Sequence, residues 1–246
     1  MQGEEETCII TDEKEAVMRI YLIRHAKQES KLCNDNTPLC EIGREQARLL
    51  GQRLKNYDID AIYASNLIRA YETAEIVAKE LGNSTELGNS TELTDSVGVS
   101  ALMEVKIREG LKETDFGELT YQLDSDIKVK YKEFMESRYY VEEDWAYPGG
   151  ESGKTVYERA KKVLDEIIQS GHKNVAVVTH GGTIRVLLAG LFQGTQRNRL
   201  LLGKCMERGG FCELFYEEET QRFYLERFND YAHLEGRPEC MMRKGN

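Results

Sequence analysis

The sequence predicts an α/β fold: a three-layer sandwich with a mixed, mostly parallel central sheet and helices on both faces. Three observations carry this. Short apolar runs at 18–23, 61–64 and 175–178 have the length and composition of strands buried on both faces. Longer stretches between them repeat their apolar residues at helical intervals. Two late runs, 211–216 and 223–228, flank a polar turn at 217–221 and read as an antiparallel pair that closes the sheet. With 246 residues and 28.2 kDa, one large domain accommodates all of these elements.

In chain order, residues 1–17 are acidic and aperiodic, with Glu4, Glu5 and Glu6, and are expected to form a dispensable extension. A single domain over 18–246 follows, beginning with the strand Met18-Arg19-Ile20-Tyr21-Leu22-Ile23. Ile42, Ala47, Leu50 and Leu54 predict a helix, and 61–64 a second strand. Ala70, Ala74, Val77, Ala78 and Leu81 mark the inner face of the next helix, with Arg69 in its first turn. The tract Leu81-Gly-Asn-Ser-Thr-Glu recurs at once from Leu87, a duplication in loop-forming residues that is too short for a solenoid. Val105 and Ile107 alternate as an edge strand.

A cap insertion is expected around 118–147, where Tyr121, Phe134, Tyr139, Tyr140, Trp145 and Tyr147 suit packing more than a ligand box. Pro148-Gly149-Gly150 breaks the chain. Val156, Ala160, Val163, Leu164 and Ile167 then form an amphipathic helix, followed by the strand at 175–178 and a helix through Leu188.

The balance of 33 Lys+Arg against 43 Asp+Glu gives −10, which argues against nucleic acid or an anionic membrane as partner. Any anion site must be local. No apolar stretch is long enough to span a bilayer. Six scattered cysteines and the lack of a basic-then-apolar leader predict reduced thiols in the cytoplasm, and the sequons at Asn83 and Asn89 then read as polar loop residues. No cysteine pair has zinc-knuckle spacing, so neither a metal nor another cofactor is expected.

Ligands of open α/β sheets collect beyond the carboxyl ends of the strands. Strand one delivers Arg24-His25 there, strand two leads to Ser65 and Arg69, and the strand 175–178 delivers His180. Two arginines and two histidines repel one another unless an anion lies between them, and a phosphate dianion fits. Neutral imidazole is an accepted nucleophile toward phosphorus, and a carboxylic acid would protonate the leaving alkoxide. Two other phosphate chemistries fail. Gly149-Gly150-Glu151-Ser152-Gly153-Lys154-Thr155 ends like a nucleotide-binding loop, but Pro148 takes its first glycine position and no buried strand precedes it. No cysteine is followed six positions later by arginine, which removes cysteine-dependent phosphatases.

Leu22-Ile23-Arg24-His25-Ala26, Ala64-Ser65-Asn66-Leu67-Ile68-Arg69-Ala70 with Thr73-Ala74, and Val178-Thr179-His180-Gly181-Gly182 resemble the signatures of the histidine phosphatase superfamily, which includes phosphoglycerate mutases. The resemblance runs from about Met18 to Leu191. It implies that His25 is phosphorylated, that Arg24, Arg69 and His180 bind the phosphoryl group, and that Glu113, in Leu111-Lys112-Glu113 before Phe116-Gly117, is the acid and base. Glu109 and Asp115 are the alternatives for that role. Gln28, Lys31 and Gly181 are expected to add substrate contacts. Ala26, Gln28 and Lys31 replace a Gly, a small hydroxyl residue and an Asn of the family pattern. Cys40 replaces a helix-starting Thr and Tyr121 a Gly.

The resulting expectation is metal-independent hydrolysis of a small phosphorylated metabolite. Mutase-type phosphoryl transfer and a catalytically weak phosphate- or phosphoprotein-binding module are the alternatives. Phosphatase is preferred because acidic Glu142, Glu143 and Asp144, if turned inward from the cap, would repel a second phosphate. Oligomeric state is not legible.

Overall fold

The computed structural model describes residues 17–82 and 103–242. The tandem repeat beyond Gly82, both sequons and residues 1–16 of the acidic extension lie outside the described residues. β1 spans Val17–Arg24, so the extension's last residue already belongs to the sheet, paired with Glu217. The chain continues through α1 (Glu41–Leu54), β2 (Ala61–Ala64), α2 (Ile68–Gly82), β3 (Val105–Ile107), α3 (Asp124–Lys130) and α4 (Lys132–Ser137). It ends with α5 (Gly153–Gln169), β4 (Asn174–Thr179), α6 (Gly181–Gln193), β5 (Phe211–Glu217) and β6 (Arg222–Asp230).

The sheet order is β3-β2-β4-β1-β5-β6. The first four strands are parallel, and β5 and β6 add an antiparallel hairpin. Because side chains alternate along a strand, β1 feeds two cores. Met18, Ile20 and Leu22 pack with Ala160, Leu164 and Ile167 of α5 and with Leu187 and Leu188 of α6. Tyr21 and Ile23 pack on the opposite face with Leu50 and Leu54 of α1 and Ala74 and Val77 of α2. Val175 and Val177 of β4 join the first core, Ala176 and Val178 the second. Burial on both faces is what lets these strands run continuously apolar. Among the described residues, no helix is long and apolar enough to cross a membrane.

Two helices in the segment between β3 and α5 have no apolar period to announce them. α3 and α4 are 7 and 6 residues long and bury only Ile127 between them. Their anchor is aromatic: Phe116, Phe134, Trp145 and Tyr147 meet edge-on or tilted with ring centroids 4.7 to 5.7 Å apart. Each such pair contributes about 1 kcal/mol beyond area burial. Tyr121, Tyr139 and Tyr140 stay exposed.

Candidate active site

The sheet register brings the three strand exits together. Arg24 of β1 stands beside Thr179 of β4, so the next residues, His25 and His180, leave the sheet as neighbours. The His25 amide donates to the Thr179 carbonyl at 2.9 Å, and the two imidazole centroids lie 5.0 Å apart. On the other side of β4, the Ser65 amide donates to the Val178 carbonyl at 2.9 Å, placing Ser65 under His180.

Hydrogen bonding assigns the His25 tautomer. His25 Nδ1 donates to the Ala26 carbonyl at 2.7 Å, which leaves the lone pair on Nε2. Ser65 Oγ accepts from the Leu67 amide at 3.2 Å and shares a hydrogen bond with His180 Nε2 at 2.8 Å. His180 Nδ1 is buried and has no partner among the described residues. Burial holds both imidazoles well below the usual histidine range, and Arg69 and Arg24 push in the same direction. Both are neutral at physiological pH.

Arg69, only 2% exposed, projects from the first turn of α2. Its Nε donates to His25 Nε2 at 3.3 Å, Nη1 to the Asp35 carbonyl at 3.1 Å and Nη2 to Asn34 Oδ1 at 2.8 Å. Arg24 donates from Nη1 to the Met206 carbonyl and lies 3.6 Å from the Met242 sulfur, while its buried Nε has no partner among the described residues. Burial, with help from Arg208, pushes the Arg24 guanidinium down to about 10. Neither arginine pairs with a carboxylate among the described residues.

Glu113 reaches the same place from the loop after β3. Its Oε1 accepts from the amides of Thr114 at 2.9 Å and Thr183 at 3.2 Å, and its Oε2 accepts from Gly182 at 3.3 Å, at the start of α6. A Cβ on Gly182 would sit 2.4 Å from Glu113 Oε1, so only glycine admits the carboxyl there. Arg159 of α5 fixes the loop from behind. Its guanidinium donates to the carbonyls of Gly110, Lys112 and Glu113 at 2.7 to 3.0 Å while pairing with Glu151 at 2.8 Å. Of the three candidate acids, Glu113 alone lines the cavity. Glu109 pairs with Lys112, and Asp115 accepts from the Gly117 amide.

These groups open into a cavity of about 370 Å³ whose lining includes Arg24, His25, Gln28, Lys31, Arg69, Glu113 and Gly181. His180 lies beneath, fully buried against Ser65. The wall also holds Asn34, Arg185, Lys204 and Arg208, which the sequence analysis missed. Asn34 left a faint signal: in Asn34-Asp35-Asn36 it adopts φ +51°, a conformation asparagine tolerates, and its side chain grips Arg69. Lys204 and Arg208 sit in a stretch without a strand or helix to point them, and Arg185 lies in the second turn of α6.

One expectation is corrected. Glu142 and Glu143 are exposed and, like Asp144, do not line the cavity. Asp144 accepts from the Gly153 and Lys154 amides at 3.0 and 2.7 Å and pairs with Arg199 at 2.9 Å, capping α5 instead of facing a ligand. The electrostatic objection to a second anion therefore falls.

A mixed α/β sheet that gathers two buried neutral histidines at adjoining strand ends, with Arg24 of β1 and Arg69 of α2 paired to no carboxylate among the described residues, defines a phosphoryl-transfer scaffold. The chain belongs to the histidine phosphatase superfamily (branch 1), whose pattern residues 20–230 match. It is 30% identical over 184 residues to phosphoserine phosphatase 1 of Hydrogenobacter thermophilus, covering 71% of this chain and 76% of that protein. It is likewise 30% identical over 195 residues to the 2,3-bisphosphoglycerate-dependent phosphoglycerate mutase of Parvibaculum lavamentivorans, covering 74% and 84%. Its fold is similar to that of a mycobacterial glucosyl-3-phosphoglycerate phosphatase, with TM-score 0.71 and 24% identity over 86% of this chain and 98% of that one.

Proposed function

We propose that the chain hydrolyses small phosphomonoesters through a phosphohistidine on His25 Nε2, without a metal. One observation carries this: the Ala26 carbonyl holds the Nδ1 proton, leaving a neutral Nε2 lone pair beside two arginines that form no ion pair among the described residues. Nε2 attacks phosphorus, the ester P–O bond breaks, and Glu113 gives its proton to the departing alkoxide. Arg24, Arg69 and the unpartnered Nδ1 of His180, protonated in this reading, then face the charge that spreads over the phosphoryl oxygens. In the second half, Glu113 takes a proton from water as its oxygen attacks phosphorus and the N–P bond breaks, releasing inorganic phosphate and restoring His25. The arginines supply the positive charge that a divalent ion brings to other phosphoryl-transfer sites, and His180 adds a neutral imidazole. The relatives named as acting on phosphoserine and phosphoglycerates support a small phosphorylated metabolite as substrate. A cytoplasmic setting belongs to the same proposal, supported by Cys33, Cys40, Cys212 and Cys240, which form no disulfide among the described residues.

Rapid quench with a labelled aryl phosphate is expected to trap an acid-labile, base-stable phosphoenzyme that EDTA leaves unchanged and His25→Ala removes together with turnover. Label persisting in His25→Ala, or turnover lost to EDTA and restored by a divalent ion, would overturn the assignment. Mutase-type transfer is the second reading, favoured by the cations of the outer wall. Isomerisation of 3-phosphoglycerate faster than phosphate release, with catalytic bisphosphoglycerate present, would establish it.

A further inference from the structure

The cavity carries more positive charge than one phosphoryl group neutralises. Arg199 is matched by Asp144, but Arg24, Arg69, Lys31, Arg185, Lys204 and Arg208 also line it, against the carboxylates of Glu113 and Asp124. With Glu113 carrying the proton it donates, a phosphoryl dianion and Asp124 balance three of these six charges. Among the described residues, none of Lys31, Arg185, Lys204 and Arg208 forms an ion pair, in a chain of net charge −10 with abundant acids to offer. Like charges held this close without partners destabilise a fold unless an anion joins them.

The surplus is concentrated on one wall. Arg185 projects from the second turn of α6, and its guanidinium is aimed by the Leu202 carbonyl at 3.2 Å and the Gly203 carbonyl at 2.8 Å. Arg208 precedes Gly209, whose amide donates to the Arg24 carbonyl at 3.0 Å, so the loop entering β5 is fastened to the end of β1. The Arg208 Nε is buried and has no partner among the described residues. Its charge also lowers Arg24, His25 and Arg69. Lys204 stands on the same loop. A second cavity of about 680 Å³ adjoins the first, sharing Gln28, Ser30, Lys31, Asp124 and Arg208, so there is room for an alcohol portion with a substituent of its own.

We infer that Arg185, Lys204 and Arg208 form a second anion subsite, so that the preferred substrate is a phosphomonoester whose alcohol portion bears a further anionic group. This rests on the phosphatase reading of the inner pocket and adds the chemistry of the leaving group. A carboxylate and a second phosphate share the recognition chemistry, since arginine binds either through paired donors.

The test is a matched series on the full chain: propyl phosphate, 3-phosphooxypropionate, propane-1,3-diyl bisphosphate and 3-aminopropyl phosphate. We expect kcat/KM at least tenfold higher for one or both anionic members than for propyl phosphate, and lower for the ammonium member. Whichever anionic member leads identifies the source of the charge. The ratio of anionic to neutral substrate should fall toward one in Arg208→Met and in the double variant Arg185→Met/Lys204→Met, and Arg208→Lys should keep most of it. Equal rates across the series, or a preference surviving in both variants, would overturn the subsite. Calorimetric titration of the same compounds into His25→Ala reads the preference without turnover. Preferential binding without wild-type hydrolysis would break the phosphatase reading and keep the subsite, while hydrolysis without preference would do the reverse.

Discussion

Arg199 and Arg69 are comparably buried, at 4% and 2% exposure, yet they are built into opposite surroundings. Arg199 pairs with Asp144, donates to the Gln196 and Trp145 carbonyls at 2.9 and 2.8 Å, and stacks 3.7 Å from the Trp145 ring centroid. Arg69 meets an amide oxygen, a carbonyl and an imidazole, all neutral. One charge is matched within the fold; the other meets no carboxylate among the described residues, as the proposed phosphoryl site requires. The largest effects should separate along this line. Arg69→Met is expected to lower kcat about 100- to 1,000-fold, as removing an oxyanion donor does, while leaving the melting temperature level or higher. Arg199→Met should cost about 3 kcal/mol of stability because Asp144 loses its partner, with a smaller effect per folded molecule on turnover. Inorganic phosphate should raise the melting temperature of the wild type and of Arg199→Met more than that of Arg69→Met. Equal thermal losses in the two variants would erase the distinction.

The same contrast predicts how stability follows pH. His25 and His180 are held well below the usual range, and burial pushes His233 down to about 4. A histidine depressed in the native state binds protons in the unfolded chain first, so stability falls as pH drops below about 6.5. Each such group contributes a slope of about 1.4 kcal/mol per pH unit until its native pKa is reached. Denaturant titrations between pH 7 and 5.5 lie above the carboxylate range and should show this decline. Because Arg69 is one reason His25 stays neutral, Arg69→Met should flatten the slope, and Arg199→Met should not. Parallel slopes would mean that burial alone holds His25 neutral.

The inner floor was legible in the sequence because a strand fixes where its next residue goes. Once the strands at 18–23, 61–64 and 175–178 were recognised, Arg24, His25, Ser65 and His180 had only one end of the sheet to occupy. The outer wall has no such rule. Glu113 is aimed by Arg159, 46 residues away, and Arg208 by an amide bonded to the end of β1, and neither relation leaves a local pattern. Asp144 misled for the converse reason: a run of acids looks alike whether it meets solvent, a substrate or a helix terminus.

Tyr121 marks a departure from the family pattern in the outer segment, replacing a glycine, and the backbone shows what it costs. Its φ is +62°, a left-handed conformation that disfavours a side chain by about 1 to 2 kcal/mol. Nothing comparable strains the floor, where the described residues from Ile23 to Lys27 and from Val178 to Gly182 keep ordinary negative φ. Tyr121 is 63% exposed, so truncation removes little buried area, and the 2.8 Å bond from the Tyr121 amide to the Cys33 carbonyl is indifferent to the side chain. Glycine's greater freedom in the unfolded chain offsets about half of the relief. Tyr121→Gly is therefore expected to stabilise by about 0.5 to 1 kcal/mol, a rise of about 2 °C in melting temperature for a chain of this length. Scanning calorimetry on both proteins resolves that difference. A lower melting temperature would show that the aromatic ring contributes more through its packing than the backbone loses through its conformation.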